Sequence, residues 1–131
     1  MLVDLRPATL RRADRVQVRF PGYVAGEAKW ALFAAADLFC SPSHYEAYGL
    51  TIAQALASGA PVLAAPHQGA QATVDADRGW LVNPRPAALA AAIAHAQDSD
   101  LSSMRAAAAD WGRVHPFSEA AALIAAALES L

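Results

Sequence analysis

The chain has 131 residues and a mass of 13.7 kDa, room for one domain of ordinary size. At 56% hydrophobic, 17% charged and a formal net charge of −2, it excludes a disordered chain and a nucleic-acid binder working by bulk charge. One cysteine, Cys40, excludes an intrachain disulfide framework.

Leu2 to Ala13 reads as a short helix, with Pro7 tolerated in its first turn. Val16-Gln17-Val18-Arg19-Phe20 alternates apolar and polar residues and predicts a strand closed by Pro21-Gly22. Glu27 to Ala36 predicts a helix with Trp30, Leu32 and Phe33 on its apolar side. Asp37 to Ser41 is a short, nearly continuous apolar run, the pattern of a strand buried on both faces of a parallel sheet. Pro42 to Tyr48 forms a loop, and Gly49 to Ser58 a helix stopped by Gly59 with Pro61 just beyond. A third strand spans Pro61 to Ala65, a polar stretch with a short helix at Gln71–Val74 follows, and Gly79 to Val82 is a brief fourth strand. Pro86 opens a helix over Ala87 to Gln97; Leu101 to Val114 and a last helix from a Ser118 cap to about Glu129 complete the chain. About 35 residues are alanine, so the helices are numerous and the core thinner than the hydrophobic percentage suggests.

Strands separated by helices, at spacings too long for hairpins, imply βαβ crossovers. The expected fold class is α/β: a Rossmann-like parallel sheet of about four strands, helices on both faces, and a helical C-terminal tail. The expected organisation is a single domain over 1–131, with an α/β part at 1–100 and C-terminal helices at 101–131.

Ligands of an open parallel sheet bind outside the carboxyl ends of its strands. Here the strand Asp37–Ser41 empties into Pro42-Ser43-His44-Tyr45-Glu46-Ala47-Tyr48-Gly49-Leu50 and then into a helix. Such a helix start offers unpaired N–H groups and the positive end of the macrodipole, and Gly49 lets an anion approach the amides of Tyr48, Gly49 and Leu50. Glu46 can accept a hydrogen bond from a hydroxyl there, and Gln54 offers an amide one or two turns into the helix. Phosphate at a helix end with hydroxyls on both sides describes a nucleotide-sugar.

Phe20-Pro21-Gly22-Tyr23-Val24, Ala36 to Ser43, Glu46-Ala47-Tyr48-Gly49-Leu50, Gln54 to Val62 and Gly79 to Pro84 together resemble one family. It is the donor-binding C-terminal lobe of retaining GT-B-fold glycosyltransferases of family 4, also called glycosyltransferase group 1. The resemblance covers about residues 14 to 131 and rests on the order and spacing of the motifs. It implies that Glu46 is the catalytic acid at the first position of an E-x7-E element, holding the donor sugar near the reacting carbon. It implies that Ala47, Tyr48, Gly49 and Leu50 contact sugar and diphosphate through backbone, and that Tyr23 and Val24 lie against the nucleobase. The family's second acid, which binds ribose hydroxyls, falls at Gln54, an amide without charge-assisted strength. The family's Gly-Gly followed by an acid appears as Gln68-Gly69-Ala70-Gln71-Ala72, with one glycine and no acid. No cofactor is implied; the nucleotide diphosphate-sugar is the substrate, and the acceptor is unknown.

The family lobe also opens with two βα units carrying a Gly-Arg and a Lys that neutralise the diphosphate, and nothing before Val16 resembles them or the acceptor-binding N-terminal lobe. In the family's sheet order 3-2-1-4-5-6, Val16–Phe20 is strand 3 and Asp37–Ser41 strand 4, left open on one side. The expectation is a partial lobe whose partners are the missing units, and a chain that does not turn over a nucleotide-sugar alone.

Plainer readings stand beside these. Glu46 can be a solvated loop acid or helix cap, Gln54 a surface residue, and Gly49 an aid to a tight turn. His44 and His67 read as exposed polar loop residues with no metal-binding spacing, Cys40 as a small buried hydrophobe, and Trp30, Trp80 and Trp111 as packing anchors. As a function class, the alternative to a glycosyltransferase is a non-catalytic binding or structural module on the same fold. No G-x-G-x-x-G follows a strand and no G-x-S-x-G elbow exists, which counts against a dinucleotide oxidoreductase and a hydrolase. With no signal-peptide pattern and no apolar run of transmembrane length, the expected location is cytoplasmic, with the membrane periphery as a second placement and no nucleic-acid partner.

Overall fold

The computed structural model describes residues 19–116 and residue 126. Its elements in chain order are α1 (Gly26–Ala35), β1 (Phe39–Ser41), α2 (Leu50–Ala57), β2 (Val62–Ala64), α3 (Gln68–Thr73), β3 (Gly79–Leu81), α4 (Pro86–Gln97) and α5 (Ser102–Val114). The described sheet has three strands in the order β1-β2-β3, both pairings parallel, with Phe39 opposite Val62 and Val62 opposite Gly79. Every strand is therefore followed by a helix before its neighbour, as the spacing requires. The sheet has three strands rather than about four: of the predicted strand Val16–Phe20 only Arg19 and Phe20 are described, and neither is in a strand. The predicted N-terminal helix and the helix capped by Ser118 lie outside the described residues.

Chain chemistry explains the limits of the elements. Gly59, at φ 77°, ends α2 in the left-handed conformation that a side chain resists; its N–H reaches Leu56 O and the Ala60 N–H reaches Ala55 O. Pro86 occupies the first turn of α4, where its missing N–H costs nothing. At the C-terminus of α1, Arg105 from α5 donates to Ala36 O at 2.7 Å and Ala34 O at 3.3 Å. That guanidinium satisfies carbonyls the helix leaves unpaired.

All three β2 residues are buried, so both faces of the central strand are covered. The core gathers Ile52, Leu56, Val62, Val74 and several alanines, with Phe33, Phe39 and Trp111 packed against it. Burying a side chain such as Leu56 contributes roughly 1.5–3 kcal/mol. Small residues let α2 and α5 approach so closely that a Cβ on Gly112 would stand 2.5 Å from the Ala57 Cα. The thin, alanine-rich core follows from this backbone-to-backbone packing. The helix α1 is different: it buries no residue, and Trp30 and Leu32 are exposed while Phe33 meets Phe39 edge-on. Trp111 is a half-buried anchor and Trp80 is half-buried against the His95 ring, whereas Trp30 is not an anchor.

Candidate functional site

The carboxyl ends of β1 and β2 are adjacent, and the loops that leave them touch. From β1 the chain turns at Ser43, whose hydroxyl donates to Tyr45 O, and runs to Gly49. Gly49 adopts φ 78° and ψ 54°, left-handed values that favour glycine, and forms the N-cap of α2. Its carbonyl accepts the N–H groups of Ile52 and Ala53. No side chain caps α2 and its first turn holds no acid. The amides of Leu50 and Thr51 have no acceptor among the described residues, so the positive end of the α2 dipole is uncompensated.

From β2 the chain passes Pro66 to His67, which caps α3 by accepting the Ala70 N–H on Nδ1 at 3.2 Å. Gly69 follows, and a Cβ there would lie 2.1 Å from the Tyr48 carbonyl oxygen. Only glycine allows α3 to seat against the backbone of the first loop. The two loops are thus locked together, and the lock holds Tyr48 and Gly49 at the start of α2.

The predicted site residues divide by place. Ala47, Tyr48, Gly49, Leu50 and Gln54 share the loop and the first turns of α2, and Glu46 enters the same loop. Glu46 and Gln54 are half-buried, Gly49 is buried, and Tyr48 and Leu50 are each 54% exposed. The Glu46 carboxylate forms no ion pair within the described residues. Tyr23 and Val24 precede α1; Tyr23 is 95% exposed and Val24 half-buried. The arrangement is an open ledge rather than a closed pocket. A groove of about 760 Å³ lies elsewhere, between the Asp37–Cys40 segment and the α4–α5 turn, and includes none of the predicted residues. No group of three or more metal-ligating side chains occurs among the described residues.

Two expectations are corrected. Cys40 is exposed on β1, an edge strand of the described sheet, although partial burial pushes its thiol above the ordinary range. His67 is not an exposed loop residue: it is 6% exposed, and its Nε2 has no hydrogen-bond partner among the described residues. Leaving a buried donor unpaired costs about 1–3 kcal/mol. A signal for its capping place, though not for its burial, was available, since Pro66 directly ahead of a polar residue marks a helix start three residues earlier than the one read from Gln71.

Residues 4–99 match the family described as Glycosyl transferases group 1. Mannosylfructose-phosphate synthase of Agrobacterium fabrum is 45% identical over 53 residues, 40% of this chain and 12% of that protein. A GDP-mannose-dependent alpha-(1-6)-phosphatidylinositol dimannoside mannosyltransferase of Mycobacterium tuberculosis is 30% identical over 90 residues, 68% of this chain and 24% of that protein. The solved structure of sucrose-phosphate synthase from Thermosynechococcus elongatus superposes with a TM-score of 0.80 and 30% identity, covering 95% of this chain and 32% of that one. The matched region thus spans at most about a third of the length of these relatives. The α/β fold is that of a GT-B glycosyltransferase lobe, and with its matched span exceeding half its length, the chain belongs to the glycosyl transferases group 1 family.

Proposed function

We propose that this chain is the donor-binding part of a glycosyltransferase that moves a hexosyl group from a nucleoside diphosphate-sugar to an acceptor with retention of anomeric configuration. The observation that carries the reading is the uncapped, acid-free start of α2 at the carboxyl edge of a parallel sheet. When the bond from the anomeric carbon to the diphosphate breaks, negative charge develops on the leaving oxygen. Preorganised N–H groups and a helix dipole, equivalent to roughly half a positive charge, stabilise that oxygen more than the ground state. In this reading the amides from Ala47 to Leu50 serve the diphosphate and sugar, Glu46 accepts from a sugar hydroxyl beside the reacting carbon, Gln54 bonds the ribose diol, and Tyr23 and Val24 lie against the base.

Calorimetry with GDP and UDP tests the reading; GDP enters because the mycobacterial relative is GDP-mannose-dependent by name. Binding of either nucleotide, weakened by Gly49→Asp, which places a carboxylate where the diphosphate sits, supports it. Absence of binding to both refutes it. Turnover is expected only when the chain is joined to an acceptor-binding lobe. Gln54, a neutral amide where the family carries an acid, favours a second reading as a binding module without turnover. Binding that never restores transfer in the joined protein selects that second reading.

A further inference from the structure

His67 has two nitrogens with different fates. Nδ1 accepts the Ala70 N–H, so it carries no proton, and the neutral ring holds its proton on Nε2. That makes Nε2–H a donor whose direction is set by the first turn of α3. The donor is buried and nothing in the described residues receives it. The ring lies under the start of α2: its Cε1, the carbon between the two nitrogens, is 3.4 Å from the place a Gly49 Cβ would occupy, with the Ile52 side chain beside it. A side-chain donor without a partner among the described residues therefore belongs to a ring packed against Gly49, the N-cap ahead of the amides of Leu50 and Thr51, which also lack acceptors there. Donors grouped near one helix start, with no acceptor found for them among the described residues, are the kind that an anionic oxygen satisfies.

We propose that His67 is a binding residue for phosphoryl oxygen, its Nε2–H completing the donor set at the start of α2. The proposal rests on the nucleotide-sugar reading, in which that oxygen belongs to the leaving diphosphate. A purely structural His67 would act only through Nδ1, and side-chain isosteres separate the two roles. Asparagine keeps an acceptor near the Nδ1 position and so keeps the α3 cap, but it has nothing at the Nε2 position. Glutamine places an amide N–H near Nε2.

The probes are inorganic pyrophosphate, UDP and GDP, titrated into the full chain and followed by NMR of the imidazole nitrogens and by affinity. The expected result is a shift of the His67 Nε2–H signal on adding pyrophosphate. The affinity of His67→Asn is expected to fall by about 5- to 20-fold with an unchanged melting temperature, and that of His67→Gln to stay within about 2-fold. Equal affinity of His67→Asn and the parent chain overturns the proposal. If His67→Asn does not fold, the parent's Nε2–H signal decides: movement under pyrophosphate supports the proposal and its absence overturns it. Binding of pyrophosphate but of neither nucleotide keeps the His67 role and removes the nucleotide-sugar reading. Binding of a nucleotide with the His67 signal unmoved does the reverse, and binding of none of the three removes both.

Discussion

The starts of α2 and α5 are built from opposite choices. At α5 the Asp100 carboxylate accepts the Ser102 N–H at 2.9 Å, so a negative side chain already occupies the positive end of the helix. The hydrogen bonds from Ser102 hold the Asp100 carboxyl below its ordinary pKa. At α2 the place corresponding to Asp100 is taken by Tyr48, whose side chain caps nothing, and the N-cap is Gly49, which offers no side chain; the loop before it is clamped by Gly69 instead. A helix start that spends its amides internally gains local stability; one that leaves them free keeps them for a ligand and must be held by something else. The comparison teaches that α2 is stabilised from outside, through the contact between Tyr48 and Gly69.

Breaking that clamp has the largest expected effect. Gly69→Ala drives a methyl into the Tyr48 carbonyl, a backbone atom that cannot yield cheaply, and is expected to destabilise the fold by about 3 kcal/mol in urea unfolding. An unchanged urea midpoint would show that the loops are not locked. Next in size is Gly49→Ala, which forces a left-handed alanine and crowds Ile52 and His67; a loss of about 1–2 kcal/mol is expected, together with weaker GDP or UDP binding. Asp100→Ala sharpens the contrast from the other side. It removes the carboxylate at α5, is expected to lower the melting temperature by less than either glycine substitution, and leaves nucleotide affinity unchanged.

Acid titration repeats the Asp100 experiment without a mutation. Because the folded carboxyl is depressed, its contribution is present above the ordinary carboxylate pKa and fades as pH falls through that value to the folded one. Amide exchange at Ser102 should therefore quicken in acid relative to Asp100→Ala, in which no such change remains. The smallest effect is chemical rather than energetic: Cys40, exposed but with its thiol pushed up, should react slowly with iodoacetamide at neutral pH and leave both helix starts intact. Rapid alkylation there would contradict the direction of that shift.

Much of this was legible beforehand, because local chemistry announces itself. Gly59 with Pro61 marked the end of α2, Pro86 the start of α4, and the apolar run ending at Ser41 the strand β1. The placement of Glu46 and Gly49 in one loop between β1 and α2 was readable for the same reason, since strand, loop and helix are contiguous. His67 was not. Its burial depends on α3 folding back onto Tyr48, an encounter between residues far apart in the chain that no window of local pattern contains. Nor was the outward position of Cys40 readable, since an apolar run gives a strand its type but not its place in the sheet.

Composition, turn residues and apolar spacing were by themselves enough to determine a parallel α/β domain and the loop that carries its candidate site. Those features act over a few residues, where backbone sterics and hydrogen-bond accounting decide. Tertiary structure alone decided which side chains those elements enclose: an alanine-rich core close enough for α2 and α5 to touch, a clamp made possible by one glycine, and a buried histidine whose Nε2 finds no partner among the described residues. Burial is a property of what packs from elsewhere, and it is burial that turns an ordinary polar residue into a committed donor.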